Sequence, residues 1–109
     1  MEHQLNEHPR GRLTKDGIRI HEEADFAGMH AAGRLAAQIL DDIAPMVEPG
    51  VTTGEIDRVI NDKVEAAGAK SATIGYKGYQ HASCISINHV VCHGIPGTKR
   101  LHEGDILNV

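Results

Sequence analysis

The segment richest in reactive side chains is NHVVCHGIP, residues 88–96, which holds two histidines and a cysteine. An imidazole can move a proton, bind a metal ion or hydrogen-bond a substrate, and a thiolate can bind metal or act as a nucleophile. Gly94 and Pro96 follow His93, so the segment ends in a corner of the chain that would hold this histidine in place. Residue types and spacing leave four interpretations of His93 open.

A tight turn at Asn88-His89 between strands at residues 83–88 and 90–93 would pair Cys84 with His93 on one face of a hairpin. The first interpretation is a Cys–His nucleophilic dyad, in which the imidazole takes the proton of the thiol. The second is a zinc site, which needs three or four ligands and finds two at most here. The third is an imidazole that hydrogen-bonds a substrate, and the fourth is a half-buried histidine without chemistry.

Two predicted helices must position this segment. The apolar period from about residue 22 to Pro49-Gly50 predicts one long helix. Thr52 and Glu55 have the capping-box spacing that begins a second helix, and Gly68 suits its left-handed end. The predicted stripe of the long helix consists of Phe26, Met29, Gly33, Ala36, Ala37, Leu40, Ile43, Ala44 and Val47. That of the second consists of Ile56, Val59, Ile60, Val64 and Ala67. A short strand is also expected at residues 17–20.

Composition favours an ordinary globular domain. Of the 109 residues 40% are hydrophobic, and the formal net charge is −4, which argues against nucleic acid and anionic membranes as partners. Two cysteines make no disulfide framework and no secretory signal is visible, so we expect a cytoplasmic protein. We predict a flexible tail over residues 1–21 and a partial domain over residues 22–109. The final Ile106–Val109 begins a strand without a following partner, which predicts a piece of a longer chain.

Four stretches carry a resemblance to a known family. They are AGRLAAQIL (32–40), PGVTTGEID (49–57), GYKGYQHASCISINHVVCHGIP (75–96) and EGDILNV (103–109). Together they resemble the N-terminal part of the bacterial-type (type I) methionine aminopeptidases, over about residues 20–109. The resemblance implies the α/β (α+β) pita-bread fold, here as its N-terminal half: two helices, an antiparallel hairpin and a truncated strand. It also implies removal of the initiator methionine from new proteins whose second residue is small.

The resemblance implies roles for individual residues as well. His93 matches the catalytic histidine that binds substrate near the scissile peptide. The residues that match the methionine pocket are Tyr76, Tyr79, Cys84 and Thr73. The family uses two divalent metal ions (cobalt, manganese, iron, zinc or similar), held by two aspartates, one histidine and two glutamates. The first of these aspartates would follow Val109, so we expect no metal ligand in this sequence and no activity of the chain alone.

Other functions stay open beside the enzyme. One alternative is a non-catalytic pita-bread module that binds peptides or proteins without metal, and another is an inactive remnant. The retained pocket residues favour the enzyme, since a pure binding module needs no methionine pocket. The partners implied are a peptide with an N-terminal methionine and, through nascent chains, the ribosome. A monomer that binds neither nucleic acid nor membrane is expected.

Overall fold

The computed structural model describes residues 11–109, which divide between Leu35 and Ala36 into two compact units. Its helices are α1, Glu23–Ile43, and α2, Thr53–Ala66. Two short strands follow, β1 at Ser86–Ile87 and β2 at Leu107–Asn108, and they pair in antiparallel orientation. The predicted α+β class, with two helices before a small antiparallel β element, is confirmed. None of the helices in residues 11–109 has the length and apolarity needed to cross a membrane.

The first unit, described from residue 11, begins with a reversal of the chain before α1. Leu13 and Arg19 form a single antiparallel bridge, and the N–H of Thr14 donates to the carbonyl of Ile18 over 2.8 Å. The strand predicted at residues 17–20 is reduced to this one bridge. The first ten residues of the predicted tail lie outside the described residues, so the boundary at residue 21 stays a prediction.

Helix α1 buries only part of the predicted stripe in the second unit: Ile43 of the stripe is buried, together with Ile39, which lies outside it. Ile39 and Ile43, four residues apart, are buried, whereas Leu40 of the predicted stripe is 47% exposed. Farther towards the start of α1, Phe26 and Met29 of that stripe are exposed too. A helix with apolar residues on several sides does not reveal from its period which side is covered. Pro45 ends α1 in a 3-10 turn at Ala44–Met46, as its missing N–H predicts.

Helix α2 follows its sequence signals closely. The N–H of Glu55 donates to Oγ1 of Thr52 (3.1 Å), and the N–H of Thr52 donates to Oε2 of Glu55 (3.3 Å), which completes the predicted capping box. Gly68, at φ 74°, provides the left-handed end. Ile56 and Ile60 are buried against the rest of the core of this unit. That core consists of Ile39, Ile43, Ile56, Ile60, Ala82, Ile85, Ile87 and Leu101.

The strand pairing differs from the predicted hairpin. The turn at Asn88-His89 forms, but residues 90–93 are not a strand, and β1 pairs instead with β2 in the register Ser86 to Asn108 and Ile87 to Leu107. The end of the chain that was expected to lack a partner is therefore paired on one side. The Asn88 side chain stabilises this arrangement, since its Nδ2 donates to Asp105 (2.9 Å) and its Oδ1 accepts the N–H of Ile106 (3.1 Å).

Candidate functional site

A cavity of about 640 Å³ in the second unit brings together all five side chains singled out in the sequence. This volume falls within the range of small-molecule sites, roughly 300–1,000 Å³. Residues from three short segments line it, around positions 72–79, 84 and 93–95. We call it the tyrosine cavity. Its predicted lining residues are Thr73, Tyr76, Tyr79, Cys84 and His93, and Lys77 joins them.

One wall of the tyrosine cavity is a tight turn around the 3-10 segment Tyr76–Gly78. The N–H of Gly75 donates to the carbonyl of Tyr79 (2.7 Å), and the N–H of Tyr79 donates to that of Tyr76 (2.9 Å). The chain closes this turn with positive φ at Gly75 (86°), Lys77 (49°) and Gly78 (84°). Glycine adopts this conformation without steric cost, whereas lysine does not, so the turn holds Lys77 in an uncommon backbone state.

Thr73 belongs to a set of hydroxyls that fasten this wall to the neighbouring segment. Its Oγ1 donates to the carbonyl of His81 (2.7 Å), and Oγ of Ser71 donates to the carbonyl of Ala82 (2.7 Å). Because both hydroxyls are used on backbone carbonyls, they fix the spacing of the two segments. Thr73 therefore lines the cavity with its hydroxyl already engaged.

Tyr79 and Cys84 contribute a phenol and a thiol to the lining. The Tyr79 hydroxyl donates to the carbonyl of Ser83 over 2.8 Å, which anchors the ring beside the thiol. Burial of the phenol raises the pKa of Tyr79 to about 12, and its hydrogen bond with Cys84, the charge of that thiolate and the charge of Asp57 raise it as well. The phenol is therefore neutral and a hydrogen-bond donor throughout the physiological range.

This environment predicts an alkaline titration that belongs to Tyr79. Because the pKa lies above the ordinary value of about 10, folding favours the protonated phenol. The stabilisation is complete below pH 10 and is lost as the pH rises towards 12. We expect the phenolate absorbance of the folded protein to show a transition near pH 12 that disappears in Tyr79→Phe. Tyr76→Phe is the control and should keep it, and a Tyr79 transition near pH 10 in folded protein would contradict the assignment.

A buried carboxylate that the sequence interpretation missed positions the segment just before Cys84. Asp57 of α2 is 8% exposed, and its Oδ1 accepts the hydroxyl of Ser83 over 2.6 Å. Its Oδ2 accepts the N–H of Ala82 (3.3 Å) and lies 3.6 Å from Nδ1 of His81. Asp57 thus fastens to α2 the segment that leads into Cys84. The sequence did contain a signal for this role. Asp57 directly follows Ile56 and so lies next to the buried stripe of its helix, where a carboxylate needs hydrogen-bond partners.

His93 lines the cavity from a left-handed backbone conformation, with φ at 56°. Its neighbour Gly94 fixes this position through two bonds to the segment of β1. The N–H of Ile85 donates to the Gly94 carbonyl over 2.8 Å, and the N–H of Gly94 donates to Oγ of Ser86 over 3.1 Å. The His93 side chain is exposed, so a ligand in the cavity can reach the imidazole.

The geometry bears on two of the four interpretations of His93. Cys84 and His93 line the same cavity, although not through the predicted hairpin pairing. Within residues 11–109 no three His, Cys, Asp or Glu side chains come together as a metal site would require, so these residues do not fit a zinc ion. A Cys–His dyad needs a hydrogen bond from the thiol to the imidazole, and among residues 11–109 none joins Cys84 to His93.

Comparison with known proteins gives a consistent result. Residues 27–109 match metallopeptidase family M24. The chain is 53% identical over 94 residues to a methionine aminopeptidase of Salmonella typhimurium, an alignment that covers 84% of this chain and 36% of that relative. The chain thus spans little more than a third of the length of the curated relatives it matches.

Solved structures extend the likeness to three dimensions. A methionine aminopeptidase from Rickettsia prowazekii superposes with a TM-score of 0.80 at 48% identity, and one from Thermotoga maritima with 0.78 at 33%. Each superposition covers 83% of this chain and 36% of the other. The resemblance to bacterial-type methionine aminopeptidases, and with it the pita-bread fold, is confirmed.

Proposed function

The chain belongs to metallopeptidase family M24, and from this membership we propose that the protein takes part in metal-dependent removal of the N-terminal methionine from new proteins whose second residue is small. The observation that carries the proposal is the tyrosine cavity. Five residues selected for a methionine pocket, Thr73, Tyr76, Tyr79, Cys84 and His93, are scattered over 21 positions of sequence yet line one cavity. A shared cavity is what a common role in substrate binding requires.

The lining suits a methionine side chain. Tyr76 and Tyr79 offer aromatic surface, Ile95 adds an aliphatic side chain, and Cys84 a polarizable sulfur. A thioether is flexible and polarizable, and it makes favourable contacts with aromatic edges. We therefore assign the cavity to the methionine side chain, with the ring of Tyr79 fixed by its bond to Ser83.

His93 is assigned to the peptide bond that is cleaved. Its exposed imidazole lies at the cavity wall, and Gly94 holds its backbone against β1. An imidazole N–H aimed at the carbonyl oxygen would hydrogen-bond this oxygen more strongly as negative charge develops there. In this role His93 both binds substrate and stabilises the transition state.

Family membership also implies a divalent metal. Two such ions, of cobalt, manganese, iron, zinc or a similar element, are part of the proposal. Residues 11–109 contain no cluster of three ligating side chains, so we assign none of them to metal and derive no step through it. A cytoplasmic setting, a monomeric state and access to nascent chains at the ribosome complete the proposal.

Peptide selectivity of the full-length protein tests this function. We expect hydrolysis of Met-Ala-Ser-amide, strong loss of rate when leucine replaces methionine, and equally strong loss when a bulky residue replaces alanine. A chelator should abolish hydrolysis and added divalent metal should restore it. Tight binding of the same peptides without any cleavage would replace the enzyme by a peptide-binding module, and neither binding nor cleavage would refute the assignment of the cavity.

A further inference from the structure

We propose that Lys77 makes the tyrosine cavity selective for peptides that carry a carboxylate close behind the methionine. Lys77 lines the cavity beside Tyr76, and its ammonium lies over that ring at 5.4 Å from the centroid. Tyr76 is 66% exposed, so the charge stands where the cavity opens to solvent. The inference rests on the proposed function and specifies its substrate class.

Lys77 is the one permanently charged side chain among the described residues that line the cavity. Lys77 and His93 are the basic lining residues, and none of the described residues that line the cavity is an aspartate or glutamate. In residues 11–109 no carboxylate lies within ion-pair distance of the Lys77 ammonium. A positive group without an acidic neighbour, in a protein of net charge −4, creates a local field that attracts anions and repels cations.

The backbone gives this charge a defined position. Lys77 is held at φ 49° by the turn whose ends are joined through Gly75 and Tyr79. Non-glycine residues in this conformation are uncommon and cluster at ligand sites, where the surrounding structure enforces them. The contact with the Tyr76 ring restrains the side chain further. Less conformational freedom is therefore left to lose when the ammonium pairs with a ligand.

The chemistry of the substrate indicates which residue of the peptide would pair with the Lys77 ammonium. The methionine side chain fills the apolar lining, and the second residue is small under the proposed function. The third residue is the first whose side chain can bring a carboxylate to the cavity mouth. A free C-terminal carboxylate of a short peptide offers the same group, so a test must separate the two sources.

The decisive experiment measures binding of uncleavable peptides to the full-length protein by titration calorimetry. The peptides have a reduced Met–Ala bond, an amidated C-terminus, and glutamate, glutamine or lysine as third residue. We expect the glutamate peptide to bind about two- to fivefold more tightly than the glutamine peptide, and the lysine peptide more weakly by a similar factor, the scale of an exposed ion pair. The affinity of a glutamine peptide with a free C-terminus shows whether the C-terminal carboxylate, instead of a side chain, pairs with Lys77.

Variants decide whether Lys77 is responsible. Lys77→Gln should bring the three affinities together, and Lys77→Glu should reverse their order. Lys70→Gln, at an exposed lysine that does not line the cavity, should keep the wild-type order. In the cleavable series the preference should appear in KM with kcat unchanged, because the ion pair is made equally in ground and transition states.

The outcomes separate this inference from the function on which it rests. Equal binding of the three peptides by the wild type, or a preference for glutamate that survives in Lys77→Gln, overturns the role of Lys77 and leaves the methionine cavity standing. If only the peptide with a free C-terminus binds more tightly, Lys77 does not recognise the side chain of the third residue, and that part of the inference is overturned. Failure to bind any methionine peptide overturns both proposals.

Discussion

Under the proposed function we expect His93→Ala to lower kcat/KM for Met-Ala peptides by about a hundredfold, the scale of losing one positioned hydrogen-bond donor (~10²–10³). The imidazole lines the tyrosine cavity, and Gly94 fastens the backbone next to it to the segment of β1, so the substitution removes a side chain whose backbone is fixed before substrate arrives. Because the bond strengthens as charge develops on the carbonyl oxygen, most of the loss should fall on kcat. Steady-state kinetics with the metal-loaded protein measures it.

The same motif provides the control. His89 is also exposed and lies in the turn after β1, but it does not line the tyrosine cavity. His89→Ala should leave kcat/KM within about twofold of the wild type, since surface substitutions away from special features change little. Alanine at position 93 keeps an L-residue at φ 56°, so the stability of the two variants should be similar. Near-normal turnover of His93→Ala would remove this residue from the reaction.

Local signals were sufficient for helix α2 and insufficient for the β element. The capping box of Thr52 and Glu55 and the glycine at position 68 act within a few residues, so the sequence pattern determines them. The partner of β1 lies about twenty residues away at Leu107–Asn108. Adjacent apolar runs suggested a hairpin, but after the turn the chain leaves the strand direction. Its hydrogen bonds to residues 85–87 are made by Val90 and Gly94 and form no ladder. Long-range pairing of this kind is set by tertiary packing.

The candidate site was accessible from sequence only through resemblance. Spacing left four interpretations of His93 open, because it could not show which residues surround this histidine. Thr73, Tyr76 and Tyr79 come from a loop whose turn geometry has no simple sequence period. The resemblance supplied five of the lining residues, including Thr73, which lies just before the quoted stretch 75–96. The resemblance did not reveal the residues that hold the lining in place. Asp57 looks like an ordinary polar residue of a helix in the sequence, and only the structure shows its hydrogen bonds with Ser83 and Ala82.

Gly94 provides the test of how tightly the site depends on its backbone. A Cβ added at this position would collide with the carbonyl oxygen of Ile85 and lie 2.9 Å from Cα of Ser86. Backbone atoms cannot swing away as a flexible side chain can, so Gly94→Ala must push the His93 segment away from β1 and break the bond between Ile85 and Gly94. We expect the free energy of unfolding to fall by about 3 kcal/mol, the upper range for overpacking. Urea denaturation measures the loss.

The neighbouring glycine makes a matched control. The nearest atom to a Cβ at Gly97 is the carbonyl oxygen of Ile95 at 4.0 Å, which is an ordinary contact distance. Gly97→Ala should therefore change the free energy of unfolding by no more than about 0.5 kcal/mol. If the Gly94→Ala protein relieves the collision by shifting the loop, stability recovers but His93 moves, and turnover must fall instead. Stability and turnover that both stay at wild-type values would mean that the contact between Gly94 and β1 does not position His93.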